Sequence, residues 1–254
     1  MTDCYSEDLA YVHDTGFGDF ARNAASGLLE LLRSHGIDGG RVVDLGCGSG
    51  IWAAELVKAG YEAVGVDLSA AMIDIARRRA PGAAFHVGSF LDVPLPECGA
   101  VTALGEVLNY RLDPRNSRGA LQRLFRRVHA VLEPGGLFVF DLAGPDRQRN
   151  VSQRFFEGTD WTTCVEIQRD TSRNRLTRRI VTFRRIGKFW RRSVETHALQ
   201  LHRATDVAGL LRKAGFRVRI VRRYGEMELL PGLVGFVARR AWKASEPLMN
   251  ADEG

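Results

Sequence analysis

The sequence predicts an α/β protein with a doubly wound, mostly parallel sheet of seven strands and a small antiparallel β insertion after the fifth strand. Two observations predict this class. Strand-like apolar segments alternate with amphipathic helical segments through the first 145 residues, and strand-like segments then follow one another without helices from about residue 153 to 202. Such alternation produces a parallel sheet with helices on both faces, and right-handed crossovers make it doubly wound.

The first 145 residues supply the alternating part of the pattern. An amphipathic helix over about 18–34 comes first, because its apolar residues recur at helical spacing. The strands that follow are short and apolar, and are predicted at residues 41–45, 63–67, 84–87, 100–104 and 137–141. The helices between them are predicted at residues 51–59, 70–80 and 117–132.

The second part of the chain departs from this alternation after Pro145. The strand-like stretches of the predicted insertion lie at residues 163–167, 176–183 and 196–201. The elements that would complete the main sheet are a helix at 206–214 and strands at 216–221 and 233–238.

The bulk composition excludes several classes of protein. Hydrophobic residues make up 45% and charged residues 26% of the 254 residues, which is ordinary for a globular domain. No apolar run approaches the roughly 20 residues that cross a bilayer, and the acidic, polar N-terminus lacks the features of a signal peptide. We therefore expect a cytoplasmic protein without a membrane partner.

The cysteines predict neither a metal site nor a redox motif. No two of them form a CxxC pair, and they stand at positions 4, 47, 98 and 164. In a reducing compartment we expect free thiols, and we expect no bound metal.

Positive charge is concentrated in the second part of the chain. The first 150 residues carry 15 Lys and Arg against 19 Asp and Glu, whereas the rest carry 21 against 11. Ten of these cations fall within residues 169–192. They could bind nucleic acid, bind an anionic small substrate, or form the solvated face of an antiparallel sheet. We favour the solvated face and expect no nucleic-acid partner.

The most informative motif is a glycine-rich turn after the first strand, VVDLGCGSGIW at residues 42–52. Glycine allows a tight turn and the close approach of a ligand to the backbone. The spacing is GxGxG, and the dinucleotide fingerprint would require glycine where Ile51 stands. Asp67 ends the second strand, where a carboxylate can accept hydrogen bonds from both ribose hydroxyls. As an alternative, Asp67 would only cap the following helix.

Four segments resemble the successive motifs of class I S-adenosylmethionine-dependent methyltransferases, namely VVDLGCGSG, VGVDLS, LEPGGLFVFDL and LLRKAGF. The resemblance covers residues 40–145 closely and residues 195–240 more loosely. It implies S-adenosylmethionine (SAM) as cofactor and S-adenosylhomocysteine (SAH) as product. The N-terminal segment YVHDTGFGDFA and the insertion resemble those of sugar N,N-dimethyltransferases, which favours the small-molecule type.

The resemblance also implies which residues contact the cofactor. The glycine turn would wrap the methionine end, Asp44 would orient that turn and the amino group, and Asp67 would bind the ribose. Many family members have an acid where Ser89 stands, which leaves the adenine amino group without that acceptor here. The residues expected to bind the cofactor are Tyr11, Asp44, Gly46, Cys47, Gly48, Gly50, Asp67, Leu68, Met72, Ser89, Phe90 and Gly105.

Catalytic residues are harder to predict, because methyl transfer depends mainly on alignment and needs a base only when the nucleophile must lose a proton. The predicted catalytic residues are Glu106, Tyr110 and His197. Glu106 and Tyr110 follow the fourth strand together with Asn109, and His197 lies in the insertion. In the alternative interpretation Glu106 caps a helix and His197 is a half-buried structural histidine. The segment Tyr11, His13 and Asp14 would fold over the site as a lid.

The sequence thus predicts a SAM-dependent methyltransferase that acts on N or O of a small-molecule acceptor, and it allows for a homodimer. Three alternatives stay open: other chemistry on SAM such as cyclisation, a SAM-binding scaffold, and an RNA methyltransferase that uses the basic insertion. The expected parts are a lid and SAM-binding core (1–145), a substrate-capping insertion (146–203), the completion of the core (204–242) and a frayed tail (243–254).

Overall fold

The computed structural model describes residues 5–149 and 152–241; Cys4 and the tail from residue 243 lie outside them. The strands are β1 (Arg41–Leu45), β2 (Glu62–Asp67), β3 (Ala84–Val87), β4 (Cys98–Ala103), β5 (Leu132–Ala143), β6 (Gln153–Glu157), β7 (Trp161–Asp170), β8 (Arg175–Ile186), β9 (Phe189–Gln200), β10 (Phe216–Val221), β11 (Arg223–Tyr224), β12 (Met227–Glu228) and β13 (Leu233–Arg240). The helices are α1 (Glu7–Gly16), α2 (Asp19–Ser34), α3 (Ile51–Lys58), α4 (Ala70–Arg79), α5 (Arg118–Val131) and α6 (Ala204–Lys213), with a 3₁₀ turn at Val107–Asn109.

The main sheet has seven strands in the order β10-β13-β5-β4-β1-β2-β3. The strands β3, β2, β1, β4 and β5 run parallel, whereas β13 is antiparallel to both β5 and β10. The central strand β4 is buried along its whole length, as expected when helices cover both faces of a parallel sheet. The predicted fold class is confirmed.

Helices pack on both faces of this sheet and bury one apolar layer each. On one face, Leu121 and Phe125 of α5 and Leu211 of α6 join the core formed with β1, β4 and β5. On the other face the core contains residues of α2, α3 and α4, including Trp52 and Ile73. These layers fix the carboxyl ends of β1, β2 and β4, where ligands bind in open α/β sheets.

The insertion between β5 and α6 is a four-stranded antiparallel sheet in the order β6-β7-β8-β9. It has one strand more than the sequence predicted, because β6 is short and mostly exposed and shows no apolar alternation. A bridge between Tyr110 and Leu199 connects the insertion to the segment that follows β4.

The N-terminal helix α1 is a second difference from the sequence-based prediction. It precedes α2, and it begins with Glu7 and Asp8 in its first turn, where negative charge favours a helix. Its apolar residues are few, so helical periodicity alone does not reveal it. None of the helices within residues 5–149 and 152–241 has the length and apolar character of a transmembrane segment.

Candidate active site

A cavity lies at the carboxyl ends of β1, β2, β3 and β4, beside α1. Its lining includes Tyr110 and most of the residues that the sequence predicts to bind a cofactor. These are Asp44, Gly46, Cys47, Gly48, Asp67, Leu68, Met72, Ser89, Phe90 and Gly105. Tyr11, Gly50, Glu106 and His197 are not part of this lining. The turns after four separate strands therefore meet at one site.

Two glycines leave open space toward the cavity. Gly48 has a φ of +52° and Gly105 a φ of +86°, and a Cβ atom placed on either would meet no protein atom within 4 Å. At Gly50, steric contact with a neighbouring helix excludes a side chain. Its φ is +74°, and a Cβ there would lie 2.8 Å from the Cβ of Ala76, so it allows α3 to begin close to α4.

Asp44 is a buried carboxylate on the cavity wall. Thr102 Oγ1 donates a hydrogen bond of 2.7 Å to Asp44 Oδ1, and Trp52 Nε1 donates one of 3.1 Å to Thr102 Oγ1. Burial raises the pKa of Asp44 to about 7, because the charged form is poorly solvated there. Within the described part of the chain no cationic side chain pairs with it. The site therefore carries a carboxylate without a counter-charge.

Asp67 connects the second strand to the glycine turn. Its carboxylate accepts hydrogen bonds from the backbone N–H of Gly48 at 2.9 Å and of Ser69 at 2.8 Å. Burial raises its pKa, and these N–H groups oppose that rise. The cap of α4 is Ser69, whose Oγ accepts from the N–H of Met72. Asp67 is thus not needed as the helix cap.

Asp113 is a cavity residue that the sequence did not single out. Ser89 Oγ donates a hydrogen bond of 2.6 Å to Asp113 Oδ2, and both residues line the cavity. The hydrogen bond from Arg115 holds the pKa of Asp113 at about 2, with a smaller contribution from Ser89. An ionised carboxylate therefore stands beside Ser89, the position at which the resemblance leads us to expect an acid in many family members. The sequence motifs did not identify Asp113, because it lies in the loop after the 3₁₀ turn and not in the stretch after β3 that contains Ser89.

Helix α1 and the residues that flank it border the cavity, and we refer to residues 5–17 as the lid. Tyr5, His13 and Phe17 line the cavity from this side. Tyr11 points elsewhere: its hydroxyl donates a hydrogen bond of 2.8 Å to Asp160 Oδ2, and the guanidinium of Arg184 lies 3.8 Å from its ring centre. Tyr11 thus fastens the lid to the insertion in this structure.

Ion pairs hold the lid on both sides. Asp14 pairs with Arg79 of α4 at 2.6 Å, and Arg79 also donates to the carbonyl of Ser49. Asp8 pairs with Arg184 and Arg191 of the insertion. The lid therefore bridges the core and the insertion.

Glu106 lies directly after β4 but is turned away from the cavity. It is buried and pairs with Arg147 and, at 2.8 Å, with Arg178. Burial opposes ionisation, but the two arginines outweigh it and hold the pKa of Glu106 below its usual value. Its backbone has a φ of +65°, which is uncommon for a residue other than glycine.

Asp141 at the end of β5 stabilises that backbone turn. Its carboxylate accepts the N–H of Gly105 at 2.8 Å and the N–H of Glu106 at 2.7 Å. Burial raises the pKa of Asp141 to about 7. The turn that exposes Gly105 to the cavity is thus fixed from behind.

Tyr110 is the predicted catalytic residue that does line the cavity. Its hydroxyl accepts a hydrogen bond of 3.0 Å from Arg178 and lies 3.4 Å from the hydroxyl of Tyr5. Since Arg178 also pairs with Glu106, the buried ion pair positions a phenol at the cavity wall.

His197 is buried behind the cavity. Its Nε2 lies 2.9 Å from Glu195 Oε2, and its Nδ1 is buried without a hydrogen-bond partner. Its ring centre lies 4.8 Å from that of Tyr5. Glu195 also accepts from the N–H groups of Tyr5 and Ser6. The His197–Glu195 pair therefore supports the first residues of the lid.

His13 is the histidine that borders the cavity. Neither of its ring nitrogens is hydrogen-bonded to a described residue, and Nδ1 is fully buried. Burial lowers the pKa of His13 to about 4, so its imidazole is neutral at physiological pH. Tyr5 packs edge-on against this ring, with centres 5.3 Å apart. His13 thus offers an unused hydrogen-bonding group beside the cavity.

Several arginines of the insertion contact other parts of the protein. Arg178 reaches Glu106, and Arg184 and Arg191 reach the lid. Arg169 donates to the carbonyls of Arg147 and Pro145. These arginines connect the insertion to the rest of the molecule and do not form a free cationic surface.

Comparison with known proteins places this cavity in context. A family model described as a methyltransferase domain matches residues 17–220. The magnesium-protoporphyrin O-methyltransferase of Rhodobacter capsulatus is 37% identical over 101 residues, which cover 38% of this chain and 44% of that protein. The dTDP-3-amino-3,6-dideoxy-alpha-D-glucopyranose N,N-dimethyltransferase of Streptomyces fradiae is 33% identical over 129 residues, 49% of this chain and 50% of that protein. The chain thus spans about half the length of these relatives.

The fold also matches solved structures. The S-adenosylmethionine-dependent methyltransferase from Clostridium acetobutylicum superimposes with a TM-score of 0.79 over 92% of this chain and 98% of that chain. The two sequences are 17% identical, so this likeness concerns the fold.

Proposed function

The chain belongs to the methyltransferase-domain family, and from that premise we propose that it transfers a methyl group from SAM to a nitrogen or oxygen atom of a small-molecule acceptor. The observation that carries the proposal is the cavity in which the glycine turn, the second-strand acid and the aromatic lid residues meet. When bound, SAM supplies an electrophilic methyl group on a positively charged sulfur.

The donor set of the cavity fits SAM. Open space in front of Gly48 and Gly105 lets a ligand contact the backbone on both sides of the cavity. Asp44 is buried and Asp67 is partly buried, and neither has a cationic partner among the described side chains. A cationic ligand would supply the counter-charge that these carboxylates lack.

Each part of the cofactor would then have a matching group. Asp67 would accept hydrogen bonds from the ribose hydroxyls, and Asp44 would face the charged methionine end. Asp113 would accept a hydrogen bond from the adenine amino group, in place of the acid that is absent at Ser89. Leu68 and Met72 would pack against the adenine ring.

The acceptor would bind between the cofactor and the lid. Tyr5, Phe17, Phe20 and Tyr110 give this side of the cavity an aromatic lining, and aromatic faces also attract a sulfonium charge. The position of the lid beside the cavity supports a small acceptor, since a base within a nucleic acid would have to pass α1 and the insertion. Both relatives described above carry names of enzymes that act on small molecules.

Alignment of the acceptor with the methyl group supplies most of the rate enhancement in such a site. Some residues would therefore contact the acceptor, and others would position those residues. Tyr110 and His13 border the acceptor region, and the neutral imidazole of His13 would accept a hydrogen bond from the acceptor nucleophile. Glu106 and His197 act through other residues: Glu106 positions Tyr110 through Arg178, and His197 supports the lid through Glu195.

Methyl-labelled SAM tests the proposal directly. The purified protein would be incubated with labelled SAM and a panel of nucleotide-linked amino sugars, hydroxylated aromatic compounds and RNA. Label in a small molecule, with one SAH released per methyl group, supports the proposal. Label in RNA contradicts the acceptor class, and SAM consumption without SAH indicates other SAM chemistry.

A further inference from the structure

The β8–β9 hairpin ends in an exposed aromatic tip. Its turn consists of Gly187, with a φ of +61°, and Lys188. Ile186 and Phe189 are paired across the hairpin, and Trp190 follows. Phe189 is 80% exposed, Trp190 54% and Ile186 42%. We name residues 185–192 the hairpin tip.

Cations flank these apolar side chains. Arg185, Lys188 and Arg192 are exposed, and none of the three forms an ion pair within the described part of the chain. The neighbouring arginines behave differently, since Arg184 and Arg191 pair with Glu7 and Asp8 of the lid. The positive charge of the tip is therefore available to an external partner.

In contrast to the sequence-based expectation of no membrane partner, we propose that the hairpin tip docks onto an anionic lipid surface, with Phe189 and Trp190 inserted at the interface and the three cations against the headgroups. Tryptophan is favoured at membrane–water interfaces because its ring is amphipathic. Lys and Arg beside such a ring are attracted to anionic lipids. The combination of a small aromatic tip and unpaired cations fits this partner in both shape and charge.

The shape of the tip favours lipid over a protein or a nucleic acid. A stable protein interface buries about 800 Å² on each partner, and a two-residue turn with three apolar side chains is too small and too convex to provide it. Single-stranded nucleic acid is held in grooves that combine stacking with cationic walls, whereas this tip projects outward. A lipid surface deforms around a small projection.

The position of the tip connects it with the lid. Arg191 lies on the opposite side of β9 from Trp190 and contacts the first turn of α1. Docking would therefore take place next to the element that closes the cavity. The inference does not depend on the identity of the acceptor or on methyl transfer.

Vesicle sedimentation tests the proposal with the intact protein. We expect at least about tenfold stronger binding to phosphatidylcholine vesicles that contain phosphatidylglycerol than to phosphatidylcholine alone, with loss of the difference at high salt. The variant Phe189→Ser/Trp190→Ser should lose at least about tenfold in vesicle binding. Phe155→Ser is the matched control, because Phe155 is 61% exposed on the far edge strand of the same sheet.

Tryptophan emission provides a second readout. The wild type should shift to shorter wavelength on anionic vesicles, and Trp190→Phe should not. Both tip variants should keep the melting temperature of the wild type, since the changed side chains are exposed. Equal vesicle binding by wild type and tip variant overturns the proposal. So does binding of single-stranded RNA, or self-association, that requires Phe189 and Trp190 in the absence of vesicle binding.

Discussion

The hydroxyl of Ser89 donates a 2.6 Å hydrogen bond to the carboxylate of Asp113, which lies 24 residues further along the chain. The contact joins the loop after β3 to the loop after the 3₁₀ turn at Val107–Asn109. It brings an ionised acid to the cavity wall beside Ser89. The same loop carries Tyr110. One loop therefore provides both the expected adenine contact, Asp113, and a residue on the acceptor side of the cavity.

Asp113→Asn should reduce the ability of the protein to distinguish adenine from hypoxanthine. Wild-type protein should bind SAH about tenfold more tightly than S-inosylhomocysteine, in which a carbonyl replaces the amino group, because only the amino group can donate to Asp113. The variant should lose this preference, as measured by calorimetry. Asp92→Asn is the control, since Asp92 also pairs with Arg115 but does not line the cavity. A preserved preference in Asp113→Asn would remove Asp113 from the adenine site.

Gly48→Ala should weaken SAM binding far more than it weakens the fold. Gly48 and Gly60 both have positive φ and open space where a Cβ atom would stand, so alanine costs each about 1–2 kcal/mol of backbone strain. Only Gly48 lines the cavity. Gly60→Ala should therefore show a similar fall in melting temperature with normal SAH affinity. Similar SAH affinity in both variants would contradict the proposed cradle.

SAM affinity should rise with pH up to about 7 and then level off. Burial places the pKa of Asp44 at about 7 in the free protein, and a cationic ligand favours the carboxylate. Binding below pH 7 therefore requires Asp44 to release a proton, which weakens affinity by up to about tenfold per pH unit. Calorimetry in buffers of different ionisation enthalpy should detect this proton. Asp44→Asn should flatten the profile, and an unchanged profile in that variant would assign the proton to another group.

Substitution of the two histidines should affect different properties. His13→Ala should lower turnover by about tenfold, because it removes a hydrogen bond that orients the nucleophile, with SAH affinity nearly unchanged. His197→Ala should lower the melting temperature, because it removes a buried side chain and the partner of Glu195, while the folded fraction keeps most of its activity. Turnover and thermal unfolding measured on both variants decide the assignment. A stable but inactive His197→Ala would restore it as a catalytic residue.

Several features of the protein were fixed by local sequence. Three of these features depend only on neighbouring residues, namely the strand–helix alternation, the GxGxG turn and the acid at the end of β2. Periodicity therefore predicted the main sheet and its antiparallel insertion. Glycine spacing and the acid predicted the cavity wall around Gly48 and Asp67. Helix α1 and strand β6 were missed because their sequences lack the apolar periodicity that marks such elements.

Contacts between distant segments were decided only by the tertiary structure. Asp113 reaches Ser89 from another loop, and Arg147 and Arg178 draw Glu106 away from the cavity that its place after β4 had suggested. Of the two histidines, His13 borders the cavity and His197 lies behind Tyr5. The position of a residue in the sequence defines which strand it follows. The direction of its polar side chain depends instead on the partners that compensate its burial. In this protein those partners lie far away in the chain.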